Sequence, residues 1–101
     1  KTITLDDFVA QEKFSMIDLL KIDVQGAESD VLIGGKKKCL PMTKVITVEI
    51  GLFDFYEKKS SFHEIESLLQ NFELYSIIRL SQNPMNFRTD WCEAVYINKK
   101  I

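Results

Sequence analysis

The sequence predicts an α/β fold in which parallel strands joined by helices are followed by an antiparallel hairpin. Three observations carry this. Residues 45–50, Val-Ile-Thr-Val-Glu-Ile, and residues 17–24 are β-rich and largely apolar, as expected of strands in a parallel sheet covered on both faces. Stretches with apolar residues at helical spacing alternate with them, which implies right-handed crossovers. Residues 74–80 and 93–98 are strand-like with only a polar loop containing Pro84 between them, so these two should pair antiparallel.

The elements follow in order. Thr4-Leu5-Asp6-Asp7 is a capping box, with Thr4 as N-cap and Asp7 reaching back. Leu5, Phe8 and Val9 then define a short helix to about Glu12. The first strand, 17–24, stops at the Gln25-Gly26 corner, and a short amphipathic helix over 27–33 ends at Gly34-Gly35. Lys36-Lys37-Lys38 reads as a solvated face at the negative end of that helix, with no functional role. After the second strand, a loop at 51–59 holds Phe53, Phe55 and Tyr56. Ser61 and Glu64 form a second capping box, and Phe62, Ile65, Leu68 and Leu69 give the apolar stripe of a helix to about Asn71.

Composition narrows the partners. The 101 residues are 46% hydrophobic and 28% charged, which describes an ordinary globular chain and one structural unit. A formal charge of −2 gives no electrostatic reason to expect nucleic acid or an anionic membrane. Apolar runs are far shorter than the roughly 18 residues that suggest a membrane span. Cys39 and Cys92 are the only cysteines and His63 the only histidine, too few ligands for a structural zinc site. Two free thiols in a reducing cytoplasm are expected. No signal peptide is visible and the chain begins at Lys1 without a methionine, which suggests a trimmed or internal piece.

The chemistry concentrates at the first strand and its corner. Alternation puts Leu19, Lys21 and Asp23 on one face and Leu20, Ile22 and Val24 on the other. A lysine dehydrated in mid-strand needs a partner, so Lys21 is expected to pair with Glu49 or Asp23, the alternative being a surface-facing Lys21. Asp23 stands at the strand's carboxyl end, where open α/β sheets bind ligands. There it could accept a proton, bind a divalent metal or face a cation, or simply cap the next helix. Glu28 suits the helix's first turn electrostatically. The loop aromatics, Phe53 among them, could stack on a sugar or merely anchor the loop. His63 is expected to be exposed, with a general-base role as the alternative, and Trp91 to pack beside the last strand.

Thr4-Leu5-Asp6, residues 17–28 (Ile-Asp-Leu-Leu-Lys-Ile-Asp-Val-Gln-Gly-Ala-Glu) and Val48-Glu49-Ile50 together resemble the FkbM-type methyltransferases. That family is S-adenosylmethionine-dependent, has the class I Rossmann-like fold and methylates hydroxyls on sugars or natural products. The resemblance implies that residues 1–101 are the C-terminal half of such a domain. Residues 17–24 and 45–50 would be its fourth and fifth strands, and the last strand would insert antiparallel between the fifth and sixth. Asp23 would face the transferred methyl group, making it catalytic and cofactor-binding. Glu49 would form a second catalytic and substrate-binding wall, with Phe53 nearby.

Two departures stand out: Gln25 replaces the family's usual Glu, and the chain has no Gly-x-Gly turn to cradle the cofactor. The implied partners are a hydroxyl-bearing small molecule or glycan and the N-terminal, glycine-rich half of the same domain. Without that half the chain is expected to be inactive, and the exposed edge at 17–24 should drive homo-oligomerisation. The competing reading is a non-catalytic α/β partner or assembly module. A phosphoacceptor domain built on Asp23 would need an acidic pair on an earlier strand, which is missing.

Overall fold

The computed structural model describes residues 2–52 and 62–101. Helix α1 (Leu5–Gln11) precedes strand β1 (Ile17–Ile22), helix α2 (Glu28–Ile33), a 3-10 turn (Leu40–Met42) and strand β2 (Thr43–Gly51). Helix α3 (Phe62–Leu68), strand β3 (Phe72–Gln82) and strand β4 (Thr89–Asn98) complete the chain. The four strands form one sheet in the order β1-β2-β4-β3. β1 and β2 are parallel, while β4 runs antiparallel to both β2 and β3. The last strand therefore lies between the second and the third, as the resemblance implies.

Alternation along the strands builds a core on one face. Ile46, Val48 and Ile50 stand opposite Tyr96, Ala94 and Cys92, and all six are buried. Leu32 of α2, Ile65 of α3 and Leu69 just after α3 close over them. Burying each large apolar side chain contributes about 1.5–3 kcal/mol, so this layer is the main source of cohesion. The hydroxyl of Tyr96 reaches out of the core to donate to Glu66 Oε2 at 2.5 Å. Asn98 ties the sheet's other end together, its Nδ2 donating to the Thr43 carbonyl at 2.8 Å.

The opposite face departs from expectation. β2 was expected to be covered on both sides, yet Val45, Thr47 and Glu49 are half-buried and Lys21 is exposed. Leu19 is 58% exposed. Helices α2 and α3 pack on the face that carries Ile46, Val48 and Ile50, and the residues of the other face, exposed or half-buried, need no buried partner. No helix among the described residues is long and apolar enough to cross a membrane. Cys39 and Cys92 are buried free thiols, and burial pushes both thiol pKa values up.

Local signals account for the element ends. Asp7 N–H donates to Thr4 Oγ1 at 3.0 Å, so Thr4 caps α1. The reciprocal half of the expected capping box does not form among the described residues, and the neighbouring acid, Asp6, binds a distant turn. The Asp6 carboxylate accepts the backbone N–H groups of Lys37, Lys38 and Cys39 at 3.0, 2.9 and 2.8 Å. Gly35 permits this approach, since a Cβ there would lie 3.1 Å from Leu5 Cδ1. The lysine triplet thus forms a turn clamped by Asp6.

β1 ends at Ile22, two residues earlier than expected, as the chain enters the corner with Gln25 at φ 52° and Gly26 at φ 103°. A non-glycine residue in that region is strained, and such strain often marks a functional turn. β3 and β4 are longer than expected because backbone pairing extends to Phe72–Asn98 at one end and through Ser81–Trp91 and Gln82–Thr89 at the other. Trp91 is half-buried within β4 itself. The capping role of Ser61 and the aromatic loop fall outside the described residues.

Candidate functional site

A row of charged side chains crosses the sheet at the carboxyl ends of the parallel strands. Asp23 follows Ile22, whose partner on β2 is Val48. That register brings Asp23 beside Glu49. Glu49 is paired in turn with Glu93 of β4, and Glu93 with Arg79 of β3. Directly opposed residues in antiparallel strands have Cα atoms about 4.5–5.5 Å apart, so the three carboxylates and one guanidinium are close neighbours. Glu28 joins from the first turn of α2, where it is almost fully buried and its Oε2 accepts the Gly26 N–H at 3.1 Å.

These carboxylates differ in environment. Asp23 is exposed and makes no hydrogen bond among the described residues. It does not cap α2, whose N-cap is Ala27 with no side-chain hydrogen bond. Glu49 is half-buried. Burial pushes its carboxyl pKa up, the charges of Asp23 and Glu28 add to this, Arg79 opposes it and Glu93 contributes a little more. Glu93 is buried, its side chain 8% exposed, and is neutralised by Arg79. Arg79 Nε and Nη2 donate to Glu93 Oε1 at 2.8 and 2.7 Å.

This arrangement can do two things. A carboxylate with a raised pKa is a stronger base, and clustered negative charge stabilises a nearby cation. Among the described residues, no group of three or more His, Cys, Asp or Glu is placed to hold a metal ion. The acids form a line rather than a converging set.

The structure thus brings Asp23 and Glu49 together, as the sequence suggested, but not Lys21. Lys21 stands opposite Thr47, two residues before Glu49, and is exposed on the open face. The ion pairs among the described residues are Lys44–Asp18, Arg79–Glu93 and Arg88–Asp90, so the expected Lys21–Glu49 pair does not form. Arg79 supplies the positive charge instead. Phe53 lies outside the described residues, and His63 is exposed. Glu93 and Arg79 were missed, although Glu93 inside Trp-Cys-Glu-Ala-Val-Tyr-Ile is the same signal as Lys21: a charge in an apolar strand.

Comparison with known proteins adds an independent line. Residues 1–74 match the model of the methyltransferase FkbM domain. The chain is similar to the 2-O-methyltransferase NoeI of Sinorhizobium fredii, 42% identical over 74 residues, which is 73% of this chain and 30% of that protein. The chain therefore spans under a third of the relative it matches. No solved structure matches it. The matched segment contains α1, β1 with its corner, β2 and α3, and so both Asp23 and Glu49. With the family model covering nearly three quarters of the sequence, the chain belongs to the FkbM methyltransferase family.

Proposed function

We propose that this chain forms the acceptor side of an S-adenosylmethionine-dependent O-methyltransferase site. One observation carries the reading: Asp23 and Glu49 meet at the strand ends, inside the segment that matches the family. When bound, S-adenosylmethionine supplies a methyl group on a cationic sulfur. The residues present suit that end of the cofactor, because exposed Asp23 places a negative charge at the mouth of the row. They do not suit its nucleoside end, since the sequence has no Gly-x-Gly turn.

Glu49 is the general base in this reading: it would take the proton that the acceptor hydroxyl gives up when its oxygen receives the methyl group. Asp23 orients the acceptor and balances positive charge, and its position at the row's open end keeps both tasks within reach. A sugar or natural-product hydroxyl is the acceptor we favour, supported by the 2-O-methyltransferase relative. The nucleoside platform belongs to an N-terminal half of a class I Rossmann-like domain, of which the β1-β2-β4-β3 sheet is the C-terminal half. The two buried, unbridged thiols support a cytoplasmic setting.

Calorimetric titration of S-adenosylhomocysteine into an upstream-extended polypeptide, with the 101-residue chain as control, tests this. Binding to the extended form alone is expected. Binding to neither would favour the non-catalytic module.

A further inference from the structure

We propose that Arg79, clamped by Glu93, is a positioning residue that supplies the positive charge facing Glu49 in the carboxylate row. This rests on reading Glu49 as the proton acceptor. Both residues lie beyond the family match at 1–74.

The geometry is specific. β4 lies between β2 and β3, so Glu93 is the direct neighbour of both Glu49 and Arg79. Two guanidinium nitrogens donate to one oxygen, Oε1 of Glu93, which fixes the plane of the guanidinium beside the row. The Arg79 side chain stays 60% exposed while that of Glu93 is 8% exposed. The arginine is thus anchored from below and open above.

The charged groups that act on Glu49 are Glu93 directly opposite it on β4, Arg79 one strand further on β3, Asp23 after β1 and Glu28 of α2. Three of the four are carboxylates, whose like charge favours the protonated form of Glu49, and the Arg79 guanidinium opposes them. Arg79 is the one cation among these four groups, so removing it leaves the carboxylates around Glu49 unopposed. A purely structural Arg79 would only neutralise buried Glu93 and would leave the titration of Glu49 unmoved.

Carboxyl-carbon NMR titration of Glu49 in the 101-residue chain, assigned with Glu49→Gln, separates the two. Arg79→Gln should raise the Glu49 midpoint by about 0.5–1 pH unit, the size expected for one unit charge at a partly solvated site. Arg79→Lys should restore most of the shift. Glu93→Gln should move the midpoint the other way, because it removes a like charge and releases the guanidinium toward Glu49. An unmoved midpoint in Arg79→Gln, or shifts of the same sign in the two variants, would overturn the assignment. Should Glu93→Gln fail to fold, the exposed Arg79 variants decide alone. Methyl-transfer assays of Glu49→Gln in the upstream-extended polypeptide judge the catalytic reading separately: full activity there overturns that reading, whereas the titration judges Arg79 and Glu93.

Discussion

Replacing Asp6 by alanine removes three hydrogen bonds at once and unclamps the turn that joins α2 to the 3-10 segment before β2. The three are not equal. The N–H groups of Lys37 and Lys38 are exposed, so water replaces the carboxylate there at little cost. Cys39 is fully buried, and its N–H would lose a 2.8 Å bond to a charged acceptor. A hydrogen bond to a charged group contributes about 1.5–3 kcal/mol, and exposed ones much less after solvent screening. The expected total loss for Asp6→Ala is therefore about 2–3 kcal/mol. Asp6→Asn isolates the charge, since its amide presents a donor toward donors.

The pH dependence gives the sharper test. Burial alone would raise the Asp6 pKa, but the N–H groups of Cys39, Lys38 and Lys37 and the charge of Lys38 outweigh it and hold the carboxyl below its ordinary value of 3.8. A folded-state pKa below the unfolded one means stability that is present above the unfolded pKa and lost as pH falls through the folded one. Urea unfolding of wild type and Asp6→Ala, from neutral to acid pH, should show a gap that narrows only below the ordinary carboxylate range. A gap under about 0.5 kcal/mol at neutral pH, the size of an ordinary surface change, would refute the clamp. So would a gap that stays constant into acid.

Three further outcomes are expected. Lys21→Met should change stability by less than about 0.5 kcal/mol in chemical denaturation, because the ammonium stands in solvent on the open face. Tyr96 should resist ionisation in a 295 nm absorbance titration until the fold opens, since burial and the bond to Glu66 both push its pKa far up; Tyr96→Phe should cost about 1 kcal/mol. Strand β1, the sheet's edge among the described residues, with Leu19 protruding, should make the chain associate with concentration in sedimentation, and Leu19→Lys should disperse it; a monomer at all concentrations would refute this.

Much of the architecture was legible because it rests on local physics. The apolar stripe of Phe62, Ile65, Leu68 and Leu69 and the Thr4 cap depend on residues within a turn or two, and all but the reciprocal Asp7 contact formed as read. Asp23 and Glu49 were legible for a related reason: each is an acid at the end of an apolar strand, and parallel strands bring such ends together. What sequence reasoning missed is non-local. The bonds of Asp6 span more than thirty residues, and no spacing rule connects Thr4-Leu5-Asp6 to a lysine turn.

The same limit explains the misassigned cation. Alternation placed Lys21 on the face that carries Glu49, and the cost of a buried lysine made a pairing the natural inference. That inference assumed a sheet covered on both sides. On an open face the ammonium has water, and solvation removes the need for a carboxylate. Arg79 reaches the row only because β4 inserts between β2 and β3, a fact of strand order that the residues around Arg79 do not encode. The partner of a charge in a strand is set by which strand lies next to it, so Glu93, the acid in the middle of the inserted strand, is the residue from which this site could have been found.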